Sequence, residues 1–375
     1  MLFAWALRQK SVARASFRKS LSVALCIALV SAVRTQHFAN SASEGEWLAC
    51  PKCCDMVATV MGSYKDMYSS VVCFALHERG PHTYTFVTDF SEGHSYYLKV
   101  AQRFLSEVST VVMQPGYVVW RVEDNASLNL DTIMSLIALD RVVVFGHSVF
   151  PEIRPYIILA PNFHFIDTNG FRELSHTLQR QAPSFQRRVK KVFWRGSTTG
   201  QPCNMHTLNC SKTCDNLERV RFVRTVKAMA VFDVCLSGTV QWCNADADRL
   251  LNEGMLCNAA REQKWVSHVG LLDIDGNVDA WGLHWRLKSG SAVFKVKSKF
   301  VNLYSEAILP GVHVVELSGE MSGLQMEQIV KHALRDTASL EIMAKSARDL
   351  IDTKFDYDRI LISLSKELLV AWNRG

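Results

Sequence analysis

The chain has 375 residues, 48% of them hydrophobic, and a formal net charge of +6. That is material for two domains of the usual ~100 to 200 residues, so two lobes with a cleft are the starting expectation. The charge excludes nucleic acid or a membrane surface as the main partner on field grounds. Arg8, Lys10, Arg14, Arg18, Lys19 and Arg34 all precede the first acid, Glu44, and these six carry the whole excess.

Those cations lead into an apolar run over residues 21–33, shorter than the roughly 20 residues that span a bilayer comfortably. Residues 1–33 read as a secretory signal, with Val30 and Ala32 as the small residues of a cleavage site, or as an uncleaved type II membrane anchor. Either places the body in the endoplasmic reticulum or Golgi lumen, or outside the cell. Beyond Cys26 stand Cys50, Cys53, Cys54, Cys73, Cys203, Cys210, Cys214, Cys235, Cys243 and Cys257, an even set in two clusters that suits disulfides in an oxidising compartment. Asn125-Ala126-Ser127 and Asn209-Cys210-Ser211 are acceptor triplets for N-glycosylation.

After a small, polar, cysteine-bearing stretch from 34 to about 63, residues 71–76, 82–87 and 117–122 have strand composition, and 95–108 and 128–139 read as helices. A buried strand over 141–145 runs into Gly146-His147, and another over 156–159 precedes Ala160-Pro161. The polar stretch 174–183 closes this first lobe. The second lobe predicts strands at 191–194, 265–269 and 292–296, helices at 216–230 and 281–289, continued alternation over 301–309 and 312–317, and closing helices at 323–335, 338–351 and 356–372. The division is therefore 34–183 and 184–375, a layout familiar from enzymes that bind a nucleotide in one lobe and an acceptor in the other. In such α/β lobes, ligands sit at the carboxyl ends of the strands.

The turn Trp194-Arg195-Gly196-Ser197-Thr198-Thr199-Gly200 follows a basic, β-branched strand. Its glycines let backbone N–H groups converge on an anion while Arg195 offers a planar donor fork, a grip for a phosphate. No Lys-Ser/Thr follows the glycines, so it is not a Walker loop. Asp273-Ile274-Asp275-Gly276-Asn277 resembles the start of a calcium loop, but the twelfth position from Asp273 is His284 and not Glu, so it reads as a tight turn. The 281–289 helix, Trp281-Gly282-Leu283-His284-Trp285-Arg286-Leu287-Lys288-Ser289, is cationic and stops at Gly290, where a glycine cap is expected.

Taken in order, the WRGS-T-G turn, the IDG turn, the helix ending in Ser289-Gly290-Ser291 before Val293-Phe294-Lys295-Val296, and Tyr304-Ser305-Glu306 leading to Leu309-Pro310 and Val312-His313 resemble glycosyltransferase family 90 over about residues 189–351. This is the group of capsule-associated xylosyltransferases and Rumi-type protein O-glucosyltransferases. The resemblance implies a GT-B fold: two Rossmann-like lobes, a cleft between them and a helical C-terminal tail. It also implies a UDP-glucose or UDP-xylose donor, a protein or glycan hydroxyl as acceptor, inversion at the anomeric carbon, and no metal or other cofactor.

Carried over by motif, Arg195, Gly196 and Ser197 are expected at the donor diphosphate, with Ser291 beside the donor and Glu306 in the donor lobe, where a carboxylate can accept from ribose hydroxyls. Relatives carry an Arg about nine positions before the Ser of the SGS-like end. Gly282 stands there, and Arg286, one helical turn on, is the substitute. Relatives also place a catalytic Asp after a first-lobe strand, where this chain has Gly146-His147. The base candidates are His147 and Asp167. Two other classes remain: a non-catalytic nucleotide- or glycan-binding descendant, and a thiol oxidoreductase using Cys50 and Cys53, which lacks the βαβ setting that chemistry uses.

Overall fold

Val142, Val143 and Val144 are buried and β-branched, the composition of a strand covered on both faces. They belong to the first of two sheets in the computed structural model, which describes residues 71–77, 80–85, 92–112, 116–121, 130–200 and 213–374. The apolar run 21–33, both glycosylation triplets, and Cys50, Cys53, Cys54, Cys203 and Cys210 lie outside the described residues.

The first half contains β1 (Val71–His77), β2 (Gly80–Thr85), α1 (Glu92–Val112), β3 (Gly116–Arg121), α2 (Leu130–Ile137), β4 (Val142–Gly146), β5 (Ser148–Val149), β6 (Ile158–Leu159), α3 (Phe163–Asp167) and α4 (Arg172–Gln181). Its sheet runs β2-β1-β3-β4-β6. The β1 pairings are antiparallel, and β3, β4 and β6 are parallel. Val100, Phe104, Leu105, Val108 and Val112 recur at helical spacing on α1, all nearly inaccessible, and seat the helix on the sheet; Phe104 meets Trp120 edge-on at 6.2 Å. Truncating Phe104 to Ala would cost about 3–5 kcal/mol.

The second half contains β7 (Val189–Ser197), α5 (Glu218–Val226), β8 (Phe232–Gly238), α6 (Ala247–Asn252), α7 (Glu262–Trp265), β9 (His268–Asp273), α8 (Leu283–Lys288), β10 (Ala292–Val296), β11 (Val301–Asn302), β12 (Val314–Leu317), α9 (Gly323–Arg335), α10 (Thr337–Lys354) and α11 (Tyr357–Arg374). Its sheet, β12-β10-β9-β7-β8, is parallel throughout. Both halves lie within one unit spanning Cys50–Gly375. A two-stranded antiparallel pair, β5 with β11, joins them. The last helix crosses back: Tyr357 donates to Glu107 at 2.9 Å, and Trp372 lies so close to Gly116 that a Cβ there would stand 2.3 Å from its ring. Among the described residues no helix is long and apolar enough to cross a membrane.

Four sequence expectations change. Residues 174–183 are largely the helix α4, a partner for the second half and not a linker. Strand β8 has no counterpart among the expected strands: Asp233 interrupts its apolar run, yet the alternation Phe232, Val234, Leu236 is buried in period two. Trp265 ends a short helix, and the strand starts at His268. The helix expected over 301–309 is instead the two-residue β11 followed by turns.

Candidate active site

In a parallel sheet, every strand of the second half delivers its carboxyl end to one edge. Strand β7 reaches it at Ser197, with a register irregularity at Gly196/Ser197. Gly196 is dictated by Trp194, whose ring would stand 2.4 Å from a Cβ at that position. This explains the Trp-x-Gly spacing of the motif. Beyond it, buried Thr198 fixes the loop, its hydroxyl accepting from the Val240 N–H at 2.8 Å and donating to the Val240 carbonyl at 3.0 Å. The Gly200 N–H donates to Gln241 Oε1 at 3.2 Å and to Asn277 Oδ1 at 3.1 Å. Gln241 holds a left-handed backbone, φ 56°, uncommon outside glycine.

The cation at this edge is Arg219, in the first turn of α5. Its Nε donates to the Asp275 carbonyl at 2.8 Å and its terminal nitrogens to the Ile274 and Ser197 carbonyls at 3.2 and 3.3 Å and to the Thr199 hydroxyl. Its guanidinium also lies 5.5 Å over the Trp194 ring. Arg219 therefore ties the ends of β7 and β9 together. Lys299 stands nearby, its pKa lowered by burial, while burial and the charge of Asp275 raise that of Glu218.

Arg195 is placed differently from the sequence expectation. Its guanidinium turns back along β7, 4.3 Å over the Phe193 ring, donating to Asp233 Oδ1 at 2.5 Å and to the Asp233 and Trp194 carbonyls at 2.8 Å. Burial would raise the Asp233 pKa, but the Arg195 bond overrides it and holds the carboxyl low. Ser291 is also displaced. It precedes β10 and so lies at the amino edge, opposite Ser197, with its buried hydroxyl accepting from Arg188 at 2.7 Å and donating to the His268 carbonyl at 2.9 Å. That is a structural bridge, because a strand's first residue is a strand length away from the ligand edge. Gly290 does cap α8 as expected, at φ 77°.

Arg286 is buried between Trp265 and Trp285, its guanidinium carbon 5.0 and 5.4 Å from the ring centroids, and donates to Asp273 Oδ1 at 2.5 Å. Lys295 binds the other oxygen at 3.0 Å. Burial opposes ionisation of Asp273, yet Lys295 and Arg286 hold its pKa below the usual range. Glu306 lies on a turn at the surface, 76% exposed, paired at 3.5 Å with Arg154 of the first half. A cavity of about 540 Å³ beside the start of β4 is lined by residues that include Val142, Val144, Ile157, Lys366 and Glu367, with neither Glu306 nor the β7 turn among them.

The first half brings its own carboxyl edge to the same seam. His147 leaves β4 and is buried against Phe163, ring centroids 5.5 Å apart. Asn162 caps α3, accepting from the Phe165 N–H at 2.9 Å, and its amide nitrogen donates to the Trp281 carbonyl at 3.4 Å. Asp167 ends α3 at the surface, accepting from the Tyr96 hydroxyl at 2.7 Å, with Arg103 at 3.9 Å. Burial and then the Asp167 bond push the Tyr96 phenol up to about 12. Between the halves, the Asp279 N–H donates to the Ser148 hydroxyl at 3.2 Å, and within the second half Asn302 donates to the Asp279 carboxyl at 2.8 Å.

Arg219, Asp279 and Trp281 escaped the sequence reading. A signal for Arg219 existed: the first turn of the helix after the β7 loop must face the strand ends. Asp246, the first residue of the DxD-like sequence Asp246-Ala247-Asp248, is engaged by Arg249 at 2.8 Å, and no group of metal-binding side chains occurs among the described residues.

The crystal structure of Anabaena Alr3699/HepE in complex with UDP and glucose is 10% identical, with 72% of this chain and 75% of that one covered at a TM-score of 0.40. A glycosyltransferase from Rickettsia africae ESF-5 is also 10% identical, covering 88% and 84% at 0.40. No curated protein matches the chain. Residues 166–369, more than half of the chain, match the family description "Glycosyl transferase family 90". That stretch holds the β7 turn, Arg219, the Asp273–Asp279 segment and α8, so the whole carboxyl edge of the second sheet lies within it: the chain belongs to glycosyl transferase family 90.

Proposed function

We propose that the chain moves glucose or xylose from a UDP-sugar to a hydroxyl of an acceptor, with inversion and without a metal. The observation that carries this reading is the convergence of the Ser197–Gly200 turn, Arg219, Gln241 and Asn277 at the carboxyl edge of a parallel sheet inside the family match. In this reading the diphosphate sits beside the turn, whose Thr198 and Gly200 N–H groups are spent on holding its shape. Arg219 supplies the positive charge that stabilises the leaving UDP, and Arg195 positions the turn through Asp233 without reaching the phosphate.

On the first half, Asp167 is the proposed base. It is solvent-accessible at the end of α3, whereas His147 is buried beside Phe163. Two disulfides among the described residues, Cys214–Cys243 and Cys235–Cys257, support a secretory setting in the endoplasmic reticulum, the Golgi or outside the cell. The test is UDP release from UDP-glucose and UDP-xylose with an acceptor panel. Turnover undiminished in Arg219→Ala would remove Arg219 from the donor site.

One observation favours a second reading, a non-catalytic binder: Arg195 and Arg286, the cations expected at the phosphates, are both closed into ion pairs, with Asp233 and Asp273. Calorimetric UDP binding with no transfer to any acceptor would decide for it.

A further inference from the structure

We propose that the rim beside the seam carries a pyranose-binding platform, made by Trp281 and Tyr97 with His164, Tyr96 and Asp167, which seats a sugar ring of the acceptor. Its place in the reaction rests on the transferase reading. Its ability to bind a sugar does not.

The chain's aromatics at this end form two layers. The inner layer, Trp120, Phe104 and Phe163, is wholly buried, and Trp120 stacks on Phe163 at 5.1 Å as core residues do. Tyr97 packs over that layer, 5.2 Å from Phe163, and meets Trp281 edge-on at 5.8 Å. His164 lies 4.4 Å from the Trp281 ring and Tyr96 5.4 Å from Tyr97. Unlike the inner layer, this outer set stays in contact with solvent: Tyr96 is 37% exposed and the Asp167 side chain 41%. Residues from α1, α3 and the approach to α8 meet here, so the patch spans both halves.

The chemistry selects the ligand class. Aromatic faces are electron-rich and attract the polarised C–H faces of a pyranose, while a carboxylate and a phenol beside them can take its equatorial hydroxyls. Asp167 already accepts from Tyr96, and a carboxylate has roughly four lone-pair sites, so acceptor capacity remains for a sugar hydroxyl. The indole nitrogen of Trp281 is buried with no hydrogen-bond partner among the described residues, an unsatisfied donor that a bridging water or a hydroxyl would satisfy. A few convergent polar groups on an apolar face is the composition of a small-ligand site. The Trp281 carbonyl is tied to Asn162, the N-cap of α3, which fixes the platform against the first half. The acceptor hydroxyl then belongs to a glycan and not to a bare protein side chain.

The experiment is saturation-transfer NMR on the full chain with methyl glycosides of glucose, xylose, mannose and galactose, with UDP affinity measured in parallel by calorimetry. At least one glycoside should receive saturation through its ring protons, and its affinity should fall at least tenfold in Trp281→Ala and in Asp167→Asn, with UDP affinity unchanged. Asp167 and Tyr96 are surface positions, so Asp167→Asn and Tyr96→Phe read the site even if Trp281→Ala fails to fold. Absence of glycoside binding while UDP binds overturns the platform, as does binding indifferent to Asp167→Asn and Tyr96→Phe. Glycoside binding that depends on these residues without any UDP binding keeps the platform and removes the transferase reading instead.

Discussion

Arg286 occupies the space that a side chain on Gly282 would need: its guanidinium carbon lies 3.0 Å, and the Trp285 indole nitrogen 2.7 Å, from the position of a Cβ there. The missing Arg at position 282 and the presence of Arg286 are thus one adjustment. The guanidinium fills the gap, but it is committed to Asp273 beneath it.

Gly282 has an ordinary backbone, φ −87°, so Gly282→Ala meets only a steric obstacle. Displacing a buried guanidinium from its carboxylate should destabilise by about 1–3 kcal/mol, the usual range for overpacking. Asp273→Asn, which leaves Arg286 and Lys295 facing a neutral amide, should cost more, about 3–5 kcal/mol. Urea denaturation of the two variants measures both. A Gly282→Ala as stable as the parent would show that Arg286 does not fill this space.

Arg195 and Arg219 should separate in their effects. Arg219→Ala removes a charge from the strand ends and should weaken UDP binding about 10- to 100-fold, the equivalent of roughly 1.5–3 kcal/mol for a hydrogen bond to a charged group. Arg195→Ala leaves Asp233 beside His268, 3.6 Å away, and should chiefly lower thermal stability. Calorimetric titration with UDP and a melting curve on each variant check this. The reverse pattern would restore Arg195 to the phosphate.

Much of the second half was legible in the sequence because its strands carry β-branched runs between glycine and proline punctuation, as in Ala292–Val296. The closing helices were legible for their apolar periodicity, and α9 also carries a capping box of Ser322 and Gln325. Side-chain direction was not. Arg195 and Ser291 sit in the right motifs, but a strand's period fixes only which face a residue takes. It does not say that Asp233 waits on the next strand to draw the guanidinium backward. Ser291 is different: the strand expected directly after it already put it at the amino edge, and only the carried-over motif assigned it to the donor. Trp281 meets its partners only through tertiary packing, which no local spacing encodes, whereas Arg219 could have been found from its place in the first turn of the helix after the β7 loop.

The disulfides should matter for the donor site as well as for stability. Cys214–Cys243 closes a span of 29 residues and Cys235–Cys257 one of 22, and each should contribute about 3–4 kcal/mol. Gln241, two residues before Cys243, keeps its left-handed backbone while holding the Gly200 N–H. Replacing Cys214 and Cys243 together by Ser should therefore lower the melting temperature and also weaken UDP binding severalfold. A lowered melting temperature with unaltered UDP affinity at a temperature where the variant is folded would separate the disulfide from the β7 turn.

Asp279 gives the seam a pH dependence of definite sign. It is buried, and its side chain is held by Asn302, with one carboxyl oxygen lacking any hydrogen-bond partner among the described residues. Burial first, and then the charge of Asp275, push its pKa from 3.8 up to about 7; hydrogen bonding, that of Asn302 foremost, and last Lys295, whose ammonium is committed to Asp273, pull the other way. A carboxyl whose folded pKa is raised favours the folded state fully below its unfolded value. That advantage is lost as pH rises through the folded one. Stability should therefore decline between about pH 4 and pH 7 from this group, by at most about 4 kcal/mol at 1.36 kcal/mol per pKa unit, and then level off. Asp279→Asn keeps the shape but cannot ionise, so it should flatten that decline and leave the variant more stable than the parent at pH 8. Chemical denaturation from pH 5 to pH 8 measures the difference. A parent and variant with parallel pH profiles would mean that Asp279 is already ionised in the folded protein, with Lys295 or a bound cation as its counter-charge.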